Sequence, residues 1–93
     1  MHVDCEFYAT VRDAVGERRL TRTFDDGATV AAALEALAEE FDALGPLLFD
    51  GGGRVRPNVN VLVDGVPIHE GDGVDTVLAD GDTLIVAPGV AGG

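Results

Sequence analysis

Val3, Cys5, Phe7 and Ala9 alternate with Asp4, Glu6 and Tyr8. This period of two predicts a half-buried strand over residues 2–10 with Cys5 in the core set. Residues 11–15 suit a short helical turn stopped by Gly16. Residues 19–24 read as a second strand with Leu20 and Phe24 in phase. Arg22 shares that phase, so the strand is expected to be bulged or to lie at a sheet edge. Asp25-Asp26-Gly27 is turn chemistry. Thr29 then stands where a helix N-cap belongs, although Ala32 occupies the position a full capping box gives to Glu or Gln. Val30, Leu34, Leu37 and Phe41 recur at helical spacing, with Glu35, Glu39, Glu40 and Asp42 largely off the stripe. That is the main helix of the chain, with Gly45-Pro46 expected to end it.

Beyond it, Leu47-Leu48-Phe49 is expected to pack a connecting turn against the sheet, and Asp50-Gly51-Gly52-Gly53 reads as a loop. The loop lacks the G-x-x-x-x-G-K-[ST] pattern of a phosphate cradle. Val59, Val61 and Val63 share one phase of a strand over residues 58–63. Asp64-Gly65 then signals a tight hairpin into residues 66–68. Residues 71–78 form a connection, with one helical turn expected at 75–78. Ala79-Asp80-Gly81-Asp82 turns the chain into a last strand over residues 83–86, with Leu84 and Val86 on one face and Ile85 on the other. Strands on both sides of a single amphipathic helix predict an α+β domain, one mixed sheet with the helix packed across a face. The domain is expected to span residues 1–86, leaving 87–93 as a flexible tail.

Composition fits that reading. A chain of 93 residues at 46% hydrophobic suits one small domain. A single cysteine excludes an intramolecular disulfide. No signal-peptide pattern and no apolar run near ~20 residues is present, so a membrane role is not expected and a cytoplasmic location is. The net charge of −11 comes from 17 acids against six bases, all arginine; lysine and serine are absent. Such a surface repels phosphate backbones and anionic lipid. The acidity suits either docking onto a basic partner or solubility in concentrated salt, and uniform acid enrichment without lysine favours a halophilic source.

Candidate chemistry is sparse. Without serine, and with neither His2 nor His69 in a motif with Cys5, no nucleophilic triad is credible. His2 and Cys5 form a lone H-x-x-C, short of a four-ligand zinc set, so no metal is expected. One cysteine cannot hold an iron–sulfur cluster. Cys5 suits a small buried hydrophobe. No cofactor site is expected, and the domain is not expected to be an enzyme.

What remains is the ending, Pro88-Gly89-Val90-Ala91-Gly92-Gly93. Glycine lets a partner surface approach the backbone closely, so Gly92-Gly93 offers an unhindered carboxylate on a slender lead. A chance terminal pair occurs in about 0.5% of chains at average glycine usage, so the pair gains weight only because no other reactive group competes. A free carboxylate is a poor acyl donor until ATP converts it to an acyl-adenylate. A sulfur nucleophile then gives a thiocarboxylate, and transfer through a thiol to a lysine amine gives an isopeptide bond. Residues 87–93 reach ~20–25 Å when extended, enough to thread into a partner's interior. With no lysine, the protein offers no side-chain amine for chains of itself.

The chain resembles the β-grasp sulfur carriers and ubiquitin-like modifiers, the group that includes the small subunit of molybdopterin synthase and the small archaeal modifier proteins. The matching pieces are Phe7-Tyr8-Ala9-Thr10-Val11-Arg12 with Val15-Gly16, and Ala28-Thr29-Val30 at the start of the helix. Asn58-Val59-Asn60-Val61, Asp80-Gly81-Asp82-Thr83-Leu84 and Val90-Ala91-Gly92-Gly93 complete the match. The resemblance implies a β-grasp fold and activation at Gly93 by an E1-like adenylating enzyme. Gly92 would be the required neighbour, and Pro88, Val90 and Ala91 the remaining tail positions a partner reads. The implied partners besides that enzyme are lysines of target proteins or, in the alternative role, the large subunit of molybdopterin synthase, with which it would pass sulfur to the pterin precursor; a non-covalent β-grasp binding module is the third reading. The family tail usually carries Phe-Pro-Pro before the valine, where this chain has Ala87-Pro88-Gly89.

Overall fold

Strand β1 (His2–Phe7) points Val3, Cys5 and Phe7 into the core and sits at the heart of the sheet. A computed structural model describes residues 1–89. After β1 come α1 (Ala9–Val15), β2 (Arg19–Thr23), α2 (Val30–Glu40), the short α3 (Gly45–Leu48), β3 (Val59–Val63), β4 (Val66–Pro67) and β5 (Thr83–Pro88). Two single-turn 3-10 helices, Ile68–Glu70 and Gly73–Asp75, fill the connection between β4 and β5. The strand order is β2-β1-β5-β3-β4. The central pair β1 and β5 is parallel, with Cys5 opposite Leu84 and Phe7 opposite Val86; the other pairings are antiparallel.

The mixed sheet and the helix across one face are as expected. From the sheet, Val3, Cys5, Phe7, Leu84 and Val86 are fully buried; from α2, so are Val30, Ala33 and Leu34. Each large apolar side chain so buried contributes about 1.5–3 kcal/mol. An exposed ion pair contributes about 0–1 kcal/mol, so the core and not surface pairing holds the fold. Thr29 caps α2, its hydroxyl accepting the Ala32 N–H at 3.2 Å. Asp64 and Gly65 both take positive φ, 51° and 82°, the tight turn that lets β3 and β4 pair directly.

Several boundaries differ from expectation. The first strand ends at Phe7 and not at Thr10, because Ala9 adopts a left-handed φ of 51° and bends the chain into α1. Arg22 needs no bulge: the β1–β2 register is continuous and β2 is an edge strand. Helix α2 closes at Glu40, with Phe41 already extended at φ −120°, so Gly45-Pro46 opens α3 instead of ending α2. Proline in a first turn gives up an N–H that would have no helical partner. The helical turn expected at 75–78 lies at Gly73–Asp75, and Val77 bridges to Thr29. Ile68 leaves the β4 hairpin arm for a 3-10 turn. The last strand runs two residues past Val86, to Pro88.

Candidate functional site

Ala87 and Pro88 belong to β5, opposite Asn60 and Val59 of β3. A proline inside a sheet ordinarily loses a ladder bond. Here the Val86 carbonyl faces β1, where it accepts the Tyr8 N–H at 3.3 Å, while the Gly89 N–H faces β3 and donates to the Asn58 carbonyl. Strand alternation therefore turns the Pro88 nitrogen toward the β1 side, and β1 has already bent away at Tyr8. No donor is missed there. Gly89 is glycine for a steric reason: a Cβ at this position would strike the Asn58 carbonyl oxygen and lie 3.1 Å from its carbon. The chain is thus held in the sheet as far as Gly89. Of the residues singled out in the sequence, Pro88 is placed here; Val90, Ala91, Gly92 and Gly93 lie outside the described residues.

Beside this exit the open face of the sheet carries an apolar groove of about 850 Å³. Leu62 and Ile85 form its floor, and Tyr8, Ile68, Val74 and Ala87 stand along it. The Tyr8 hydroxyl donates to Glu6 Oε1 at 3.2 Å and is itself exposed. The groove is a feature that sequence reading did not assemble. Its signal was present in Leu62 and Ile85, apolar residues out of phase with the core set of their own strands. The walls come from the 68–74 connection, whose path depends on tertiary packing.

Other reactive side chains do not converge. Cys5 is fully buried, and burial pushes its thiol up to about 11, so it stays protonated and unreactive near neutral pH. His2 faces solvent while Cys5 faces the core, so the H-x-x-C pair splits across the two faces of β1. Among the described residues, no group of three or more His, Cys, Asp or Glu side chains is arranged to hold a metal. No helix among them is long and apolar enough to cross a membrane.

A mixed five-stranded sheet grasping one main helix, with the C-terminal strand in the middle and ending beside an apolar groove, is the ubiquitin-like β-grasp fold. The chain belongs to the ThiS family, whose sequence profile matches residues 5–93. It is 42% identical to small archaeal modifier protein 3 of Haloferax volcanii over the full length of both chains. It is 30% identical to the sulfur carrier protein CysO of Mycobacterium tuberculosis, across 72% of this chain and 74% of that one. The crystal structure of SAMP1 from Haloferax volcanii superposes with a TM-score of 0.89 at 29% identity, covering 100% of each chain. These relatives are small carrier and modifier proteins, not enzymes.

Proposed function

We propose that this protein is a ubiquitin-like modifier and sulfur carrier whose working group is the Gly93 carboxylate. The observation that carries the reading is the placement of β5, which holds the chain against Asn58 as far as Gly89, four positions before Gly93 in the sequence. An E1-like enzyme joins the Gly93 carboxylate to the α-phosphate of ATP and releases pyrophosphate. Displacement of AMP by hydrosulfide gives a thiocarboxylate. Displacement by an enzyme thiol, followed by attack of a target-protein lysine amine, gives an isopeptide bond and returns the thiol.

The enzyme must hold the domain while Gly92 and Gly93 enter its site, and the Leu62–Ile85 groove supplies apolar area for that purpose. Pro88, Val90 and Ala91 span the distance from groove to site. Ala87, at the position where the family usually has phenylalanine, leaves room in the groove wall. The absence of lysine fits a tag that is added to others and not extended through its own side chains. The acid-rich, lysine-free composition supports a salt-rich cytoplasm as the setting.

Deleting Gly92-Gly93 should abolish ATP–pyrophosphate exchange with the cognate E1-like enzyme, and full exchange by the truncated protein would refute the proposal. Intact mass of protein from its native host separates the two outcomes: replacement of one oxygen by sulfur marks the carrier role, and Gly-Gly remnants on lysines of other proteins mark conjugation. A stable complex with a molybdopterin synthase large subunit, in the absence of conjugates, would favour the dedicated subunit instead.

A further inference from the structure

A tag that can itself be tagged grows into a chain, so the amines of this protein decide how far acyl transfer can run. The sequence has no lysine, and its six arginines stay protonated and are not nucleophiles. That leaves the α-amino group of Met1. Chain ends are usually loose unless something ties them down, and this one is tied. The Met1 amine donates to the Phe24 carbonyl at 2.8 Å, and the Phe24 N–H donates back to the Met1 carbonyl at 2.9 Å. The reciprocal pair adds a rung to the β1–β2 ladder beyond His2 and Thr23. The Met1 side chain is 3% exposed and packs against the core. The Asp26 carboxylate lies 3.6 Å from the same nitrogen.

The place of Met1 in the sheet is equally restrictive. β1 and β5 run parallel, with Asp4 opposite Thr83 and the Gly81 N–H donating to the His2 carbonyl. Met1 therefore stands at the end where β5 begins, and Pro88 at the end where it finishes. At ~3.3 Å per residue the two are about 26 Å apart along the sheet. The five residues that follow Pro88 span at most about 18 Å when fully extended. The Gly93 carboxylate cannot reach the amine of its own molecule.

We infer that this protein is a donor-only tag: acyl transfer places one copy on each target amine, and the copy just added neither accepts another nor closes on itself. The inference rests on the reading of Gly93 as the activated acyl group. In the transfer step the amine lone pair forms the C–N bond to the Gly93 carbonyl carbon. The C–S bond of the enzyme thioester breaks, the thiolate leaves, and the nitrogen gives up a proton to solvent. The attacking nitrogen must turn a lone pair onto the acyl carbon and admit a tetrahedral centre beside it. Met1 meets that demand only by breaking both bonds to Phe24 and drawing its side chain out of the core. Each modified amine then carries a single 9.6 kDa domain. The signal is set by how many amines are modified and not by the length of a chain.

The test is a transfer reaction with the E1-like enzyme of the same organism, ATP and the full chain as both donor and acceptor. Hydroxylamine is supplied first: if no hydroxamate forms at Gly93, the reading of the tail fails independently of Met1. With activation established, the wild-type chain should give no covalent dimer by mass. Placing Gly-Gly-Ser before Met1 carries the amine onto a lead outside the ladder and should yield head-to-tail dimers. An extended chain as inert as wild type would overturn the inference, as would a Gly93–Met1 peptide bond in the wild-type products. A second measurement needs no enzyme. The N-hydroxysuccinimide ester of acetic acid at neutral pH should acylate the Met1 amine of the folded protein about tenfold or more slowly than the amine of the extended chain. Unfolding both in urea should bring the rates together, and equal rates in the folded proteins would overturn the inference.

Discussion

Gly89 donates its backbone N–H to the carbonyl of Asn58, and no side chain fits between them. The contact holds the chain in the sheet as far as Gly89. Gly89→Ala should therefore open the last β3–β5 pair and redirect the residues that follow. Because the strand end can fray, the cost to stability should be about 1 kcal/mol, while the rate of adenylation falls by a larger factor. Paired measurement of melting temperature and pyrophosphate exchange checks this; equal losses in both would mean the contact serves stability alone.

Leu62 and Ile85 lie on the open face, away from the core residues Val61, Leu84 and Val86. Leu62→Asp or Ile85→Asp should leave the fold intact and impair docking, with KM for the protein in the exchange assay rising about tenfold or more, the scale of a buried apolar anchor. Val66→Asp, on an exposed edge position outside that groove, is the matched control. A circular dichroism spectrum identical to wild type, with unchanged KM, would remove the groove from the docking surface.

Much of this architecture was legible because its determinants are local. Thr29 marks a helix start by its own hydroxyl, Asp64-Gly65 makes a turn by its own backbone, and the alternation of Val3, Cys5 and Phe7 is read directly. Where pairing is distant, reading along the chain fails. Ala87 and Pro88 look like tail until Asn60 and Val59 come alongside. Ala9 continues the alternation of β1 perfectly, and only the departure of the chain into α1 ends the strand. Gly45-Pro46 is chemically ambiguous between a helix stop and a helix start, and the early extension of Phe41 decides it. The site divides in the same way. The terminal glycines stand out in sequence, whereas the groove joins residues as far apart as Tyr8 and Ala87.

Arg22 shares the core phase of β2 yet carries its charge out to the end of α2. Its Nε donates to Glu40 Oε1 at 2.8 Å and Oε2 at 3.1 Å, and its Nη2 to Oε2. The hydrogen bond holds the Glu40 carboxyl below its usual value of 4.5 and raises Arg22. Both side chains are more than a third exposed, so solvent screening limits the pair to about 1 kcal/mol or less. The depressed carboxyl contributes stability that is present above pH 4.5 and lost as pH falls through its folded value. Glu40→Gln should remove that part of the acid sensitivity. Urea melts of wild type and variant across pH 3–6 read the difference.

Cys5 makes the opposite excursion. Its thiol is raised from 9.0 to about 11 by burial, so its contribution to stability is complete below pH 9 and declines as pH rises toward 11, when the unfolded chain ionises first. Cys5→Ala should flatten stability over that interval at a cost of about 1 kcal/mol for the smaller side chain. The native protein should also resist thiol-specific reagents at pH 8, reacting only on unfolding. Rapid native labelling would contradict the burial.

The parallel pairing of β1 with β5 has a mechanical consequence. His2 begins β1 at one end of the sheet and Pro88 ends β5 at the other, on adjacent strands joined by a continuous run of bonds from Asp4–Thr83 to Phe7–Val86. A pull applied between these two points slides the strands past each other and loads all of those bonds at once, whereas unzipping would break them singly. Forced extraction is governed by the unfolding rate. Extension between these two points should therefore be resisted by the whole β1–β5 ladder acting together.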